Sequence, residues 1–146
     1  MGSIVRGKSP VKSIPVVGTT QEGLDRHWEE LGYPVGFGDE YAVIESDDPD
    51  AYLLRVEGES MSPRINEGEY VLVEPSLEAQ RGDTVVVRLT SGEVTLEYFR
   101  ADYGDEITLE SHNHGFTLKT VKKIDIVSLH PVSGTLYRRK FKRRIQ

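Results

Sequence analysis

From residue 41 onward the chain alternates short apolar runs with polar, turn-forming punctuation. AYLLRVEG, EYVLVEP, DTVVVRLT, EVTLEYFR, EITLES, TLKTV and IDIVSLHPV are rich in Val, Ile, Leu, Thr and Tyr, and Gly, Asp, Asn or Pro stands between most of them. Side chains that branch at Cβ or carry rings fit a pleated surface, so these runs predict strands. Ser91-Gly92-Glu93 and Tyr103-Gly104-Asp105-Glu106 have the residues that close hairpins. Seven or more short strands with no helical period between them predict an all-β body, closed or twisted, rather than alternating β and α units. No internal repeat is visible.

The first third of the chain is less regular. Residues 1–13 mix Gly, Ser, Lys and Pro without an apolar period and read as a flexible lead-in or linker end. Structure is expected from Ile14, where IPVVG makes a short strand before the polar TTQEG. Leu24, Trp28 and Leu31 fall at helical spacing for about one turn. The Gly- and Pro-rich GYPVGFGDE then predicts an irregular loop leading into a strand at Tyr41–Ile44. One domain over residues 14–137, followed by a basic tail over 138–146, accounts for the whole chain.

A length of 146 residues suits a single core. The longest apolar runs are far too short to cross a bilayer as helices, and the N-terminus lacks the pattern of a secretory signal. There is no cysteine, which excludes disulfides and thiol catalysis. These features together predict a cytoplasmic address. The net charge is −6, yet RRKFKRRIQ at the end carries six basic residues, leaving the preceding 137 residues near about −12. An acidic body repels a phosphate backbone, which argues against DNA contact by the globular part. The tail reads either as a solvated terminus or as a nucleic-acid contact.

The chemistry concentrates in Gly58-Glu59-Ser60-Met61-Ser62-Pro63. A serine hydroxyl attacks a carbonyl only when a base takes its proton and donors await the oxyanion. Gly58 permits an unusual backbone conformation just before Ser60, so that the amides of Glu59 and Ser60 could converge on one oxyanion. Taken alone, this stretch reads as a turn with a polar residue rather than as a catalytic site.

The longer pattern VEGESMSPRINEGEYVLVEP, followed by RGDTVVVRLTSGEVTLEYF, resembles the self-cleaving serine peptidase domain of the LexA and lambda-type phage repressors and of the UmuD mutagenesis protein. The matching pieces are Gly58-Glu59-Ser60-Met61, Pro63, Gly68 with an acid after it, the strand Tyr70–Val73, Arg81-Gly82-Asp83 and the strand Val94–Phe99, within a resemblance spanning about residues 14–137. It implies a twisted, partly closed pseudobarrel with Ser60 as nucleophile and a base lysine on a later strand. It also implies a homodimer formed by edge-strand pairing near Ile124–Leu129, and the chain's own N-terminal segment as a ligand in cis. A RecA filament or an antirepressor would be the inducing partner, DNA would be reached only through a preceding domain, and no membrane or cofactor is involved.

Two residues depart from that pattern. The lysine position, 37 residues beyond Ser60, holds Glu97, and the nearest lysines, Lys12 and Lys119, fall in other segments. In a dry pocket a carboxyl group is driven towards its neutral form, which is no base. The bland alternative for Glu97 is an outward strand residue paired with a cross-strand Arg or Lys. In the scissile segment Thr20-Gln21-Glu22-Gly23, Glu22 stands where the family has a small residue before Gly23, and Val17-Gly18 lies too early to replace it. If that segment docked, Glu22 and Glu97 would bring two like charges together. The resemblance therefore implies the oligomerisation and regulatory domain of a repressor, defective in self-cleavage. The competing reading is an active self-processing endopeptidase with a non-standard base. Membrane signal peptidases share the Ser-Met-x-Pro and Gly-Asp pieces but carry an anchor.

Other candidates are thin. His112-Asn113-His114, with His27 and His130 unplaced, offers too few ligands for a metal and predicts a polar loop. Asp47, Asp48 and Asp50 lack the glycine and terminal glutamate of a calcium loop and predict a solvated turn. Trp28, Tyr33 and Phe37 predict either packing against the sheet or an exposed aromatic patch.

Overall fold

The computed structural model describes residues 9–21, 23–24, 40–112, 115, 117–137 and 142–143. Apart from one 3-10 turn, Lys123–Asp125, its regular structure is all β: β1 (Val11–Thr19), β2 (Gly23–Leu24), β3 (Glu40–Glu45), β4 (Tyr52–Arg55), β5 (Tyr70–Val73), β6 (Thr84–Leu89), β7 (Val94–Asp102), β8 (Glu106–Ser111), β9 (Thr117–Lys122), β10 (Ile126–Leu136) and β11 (Lys142–Arg143). The all-β class read from the sequence is the observed one. β1 starts three residues earlier than the expected Ile14, because Val11–Ser13 pair with Val43–Glu45 of β3. Leu24, where the expected helical turn would start, pairs in β2 instead; the rest of that turn, the aromatic trio Trp28, Tyr33 and Phe37, and His27 and His114 lie outside the described residues. So do residues 138–141 and 144–146 of the tail, whose Lys142 and Arg143 pair with Tyr41 and Glu40.

The strands form one mixed sheet in the order β11-β3-β1-β4-β5-β10-β6-β7-β8-β9, with β2 hydrogen-bonded to β1. β1 and β4 are parallel, and the other neighbours are antiparallel. Both expected hairpins form: Gly92 (φ 94°) turns β6 into β7 and Gly104 (φ 94°) turns β7 into β8, at backbone angles that a side chain disfavours. β10 pairs with β6 through Ile126–Pro131 and with β5 through Val132–Leu136. Proline has no N–H to give, and Pro131 stands where the strand changes partner.

The sheet curls over one apolar cluster. Val17, Tyr52, Leu54, Val71 and Val73 of its first half meet Val86, Val94 and Leu96 of its second, with Met61 and Ile65 from the β4–β5 loop between them. A second cluster packs Ile14, Ala42, Ala51, Leu53 and Leu72 together, and a third holds Val85, Val87, Phe99, Ile107 and Leu109. Burying each such aliphatic side chain contributes about 1.5–3 kcal/mol, so this division of faces sets the register of β5, β6 and β7.

The expected solvated turn at residues 47–50 is in part a staple. Asp48 is buried and accepts hydrogen bonds from Asp50 N, Ser76 N and Ser76 Oγ, each at 2.8 Å, while Lys12 Nζ donates to the Asp48 carbonyl at 2.8 Å. Burial pushes the Asp48 carboxyl up, but the Ser76 and Asp50 donors and the Lys12 charge outweigh it and hold it below the usual range. The tie joins β1, the β3–β4 loop and the β5–β6 loop. Nearby, Tyr52 Oη and His130 Nδ1 are 3.0 Å apart, and burial, opposed in part by the Asp48 charge, lowers the imidazole's pKa.

Candidate active site

The loop carrying Ser60 is closed at its base and pinned at its tip. Val56 N donates to Glu69 O at 2.8 Å and Gly68 N to Val56 O at 3.0 Å, while Met61, 1% exposed, inserts into the central cluster. A buried apolar neighbour thus fixes the serine with little freedom of the loop. Gly58 adopts φ +78°, and a Cβ there would collide with the Gln21 side chain. The expectation of a special backbone at Gly58 holds for a reason the sequence did not reveal: the N-terminal segment lies against it.

That segment is held firmly. β1 runs parallel to β4, with Thr19 opposite Arg55. Thr20 N continues the pairing to Arg55 O at 3.0 Å, and the Thr20 hydroxyl contacts the backbone of one residue twice, accepting from Glu57 N at 3.0 Å and donating to Glu57 O at 3.3 Å. The chain then reverses, with Gly23 opposite Thr19 and Leu24 opposite Gly18. Glu22 lies outside the described residues.

Ser60 sits where a ladder divides. Tyr98 pairs with Glu110 and Phe99 with Leu109, a register that sets Glu97 opposite Ser111 and Leu96 opposite His112. At the last of these positions the strands part and Ser60 enters. Its carbonyl accepts from His112 N at 2.6 Å and its Oγ donates to Leu96 O at 2.8 Å. The serine therefore takes up the groups by which β7 and β8 would have continued to pair. Neither Glu59 N nor Ser60 N, the two amides expected to form an oxyanion site, donates to another described residue.

Glu97 is 3% exposed, so its reading as an outward surface residue is corrected. It shares a face of β7 with Thr95 and Phe99, opposite Val85. Both of its carboxyl oxygens accept from Ser111 Oγ, at 2.7 and 3.1 Å. Among the described residues no Arg or Lys pairs with it. Ser60 Oγ and the Glu97 carboxyl group are thus each bonded, and not to one another. Lys12 is occupied at Asp48, and Lys119 lies on β9 opposite Leu109, so neither reaches Ser60 in its hydrogen bonding.

A second pair flanks the fork. Glu110 Oε2 lies 2.8 Å from His112 Nε2, its Oε1 accepts from Arg100 Nη1 at 3.1 Å, and Tyr98 packs on the imidazole with ring centroids 5.5 Å apart. His112 is in this respect part of a carboxylate pair rather than of a free polar loop. No group of three or more His, Cys, Asp or Glu suited to a metal occurs among the described residues. The sequence did not single out Ser111, and it named His112 only as a weak metal candidate and Thr20 only as the first residue of the scissile segment. Counting back from the hairpin at Gly104 sets Glu97 against His112, and the bulge between Phe99 and Ala101, which nothing in the sequence marks, moves it to Ser111.

The Peptidase S24-like family matches residues 15–130. The chain is 34% identical over 128 residues to the LexA repressor of Thermotoga petrophila, covering 87% of this chain and 63% of that protein. It is 28% identical over 129 residues to Repressor protein C of Rhizobium phage 16-3, covering 83% and 48%. A shorter match, 43% over 65 residues, links it to the LexA repressor of Desulfatibacillum aliphaticivorans, covering 44% and 31%. The chain thus spans between about a third and two thirds of the length of these relatives. No helix among the described residues is long and apolar enough to cross a membrane.

Proposed function

The chain belongs to the Peptidase S24-like family in its repressor branch, and from that premise we propose that it is the regulatory and oligomerisation domain of a phage-type or stress-response transcriptional repressor that holds its cleavage segment in cis without cutting it. The observation that carries this reading is the hydrogen bonding of Ser60. Its single proton goes to the Leu96 carbonyl, which is not a base, while the Glu97 carboxyl group is engaged by Ser111. Attack on the bond between Glu22 and Gly23 would require a group that removes that proton, and none is bonded to Ser60 Oγ.

The remaining parts of the reading follow from the repressor relationship. A second copy would pair along β10 near Ile126–Leu129, whose ladder to β6 occupies one edge of that stretch, and Ile124 and Val127 add exposed apolar surface beside it. DNA contact belongs to a domain outside this chain, and a RecA filament or an antirepressor is the inducing partner at a cytoplasmic site of action.

One observation favours the competing reading of an active self-processing endopeptidase: the docked position of Thr20 and Gln21 against the Ser60 loop is what cleavage in cis needs. Incubation of the purified protein at alkaline pH, followed by mass spectrometry, separates the two. The regulatory reading expects the intact mass throughout. Fragments ending at residue 22 would overturn it.

A further inference from the structure

We propose that the buried carboxyl group of Glu97 anchors a binding site for a primary ammonium group supplied by a separate molecule. The proposal rests on the non-cutting reading of Ser60, since a serine in use as a nucleophile would claim the same space.

The argument is an inventory of donors and acceptors. Glu97 presents a carboxyl group in a 3% exposed position, and Ser111 Oγ serves both of its oxygens with a single proton. A carboxylate has about four acceptor positions, so most of its capacity is unmet. Thr95 shares the same strand face two residues away, and its Oγ1 is buried with no hydrogen-bond partner. Between them, the Leu96 carbonyl already holds the proton of Ser60, so that Ser60 Oγ retains only its lone pairs. Ser111 Oγ, its proton committed to Glu97, is in the same state.

Along this stretch the protons of Ser60 and Ser111 are committed, Thr95 Oγ1 leaves both its proton and its lone pairs unused, and Glu97 carries the capacity for negative charge, so acceptor positions outnumber donors. Buried polar groups left in this condition are costly, and the partner that relieves them must bring several N–H donors and a positive charge. A primary ammonium has three such donors on a compact centre. Divalent metals fit poorly, because a single carboxyl group and hydroxyls give too few charged ligands. Ser60, Thr95 and Ser111 are partly exposed, so the buried carboxyl group is bordered by residues that reach the surface. The same chemistry could arrive as a free alkylamine or as a lysine side chain of a protein.

The test is titration of the full 15N-labelled chain at constant ionic strength with n-butylammonium, with the capped tripeptide acetyl-Gly-Lys-Gly-amide, and with tetramethylammonium and 1-butanol as controls. Saturable shifts of the Thr95, Leu96, Glu97, Ser111 and His112 amides are expected with the two primary amines and not with the controls. Tighter binding of the tripeptide assigns the ammonium to a protein partner, and tighter binding of butylammonium assigns it to a small amine. Glu97→Gln, which keeps the shape and can still accept from Ser111, should weaken binding by about tenfold or more, and Thr95→Val by several-fold. Absence of saturable shifts with either amine, equal shifts with tetramethylammonium, or undiminished affinity in both folded variants would overturn the proposal. Because the readout is binding, scission in the alkaline incubation and failure of this titration are separate results.

Discussion

Ser60 Oγ donates to the Leu96 carbonyl oxygen at 2.8 Å, one residue short of the side chain that should have been its base. A hydroxyl bound in this way contributes to the fold, because it terminates the β7–β8 ladder, and it lacks the activation that a nucleophile needs. The same bond makes the site testable from both sides of the reaction.

Glu97→Lys combined with Glu22→Ala should restore scission. The first change puts an amine that burial can neutralise beside Ser60, and the second removes a charge from the scissile position. Mass spectrometry after alkaline incubation is expected to find a cut after residue 22. A folded double variant that stays whole would mean that positions 22, 60 and 97 have been assigned wrongly.

Ser111→Ala should cost about 1–3 kcal/mol of stability, because it leaves a buried carboxyl group without its donor. Combining it with Glu97→Leu, which removes the acceptor, in a double-mutant cycle should reveal coupling between the two sites. Additive losses in denaturant melts would show that the pair is not an energetic unit.

Thr20→Val keeps the volume of the side chain but loses both contacts with the Glu57 backbone. It should increase hydrogen exchange at the Glu57 amide and speed protease cutting near residues 20–24, whereas Thr20→Ser should retain most of the protection. Equal protection in the valine variant would mean that pairing with β4 suffices to hold the segment.

Stability should fall in two steps as the solution is acidified. His130 has a folded pKa lowered by burial, so the unfolded chain takes up that proton first. Its contribution is complete above the ordinary value of about 6.5 and is lost as pH falls through the folded value. Asp48, also lowered, contributes fully above about 3.9 and loses its contribution as pH falls through its own folded value. Thermal melts across this range should show the first step vanish in His130→Gln, and an unchanged first step would assign it to another group.

The strands, both hairpins and the central role of residues 58–63 were legible in the sequence because each is written locally, in alternation, turn glycines and a short motif. The direction of Glu97 was not, since Val94, Leu96 and Tyr98 alternate with Thr95, Glu97 and Phe99, and the large apolar Phe99 shares the face of the two polar residues. Only the packing of Phe99 with Val85 and Val87 decides which face is which. Asp48 misled for a related reason: an aspartate in a Pro-containing turn looks solvated until a serine 28 residues away supplies its donors. The Thr20 clamp likewise depends on a parallel pairing of β1 with β4, and nothing local announces a parallel partner.

The division of β10 at Pro131 has a mechanical consequence. One continuous segment laces the β5 side to the β6 side, so peeling it away would deprive both of a neighbour at once, and neither could melt while the other kept its full set of ladders. The serine loop, wedged between the two sides by Met61, would lose its seat in the same event.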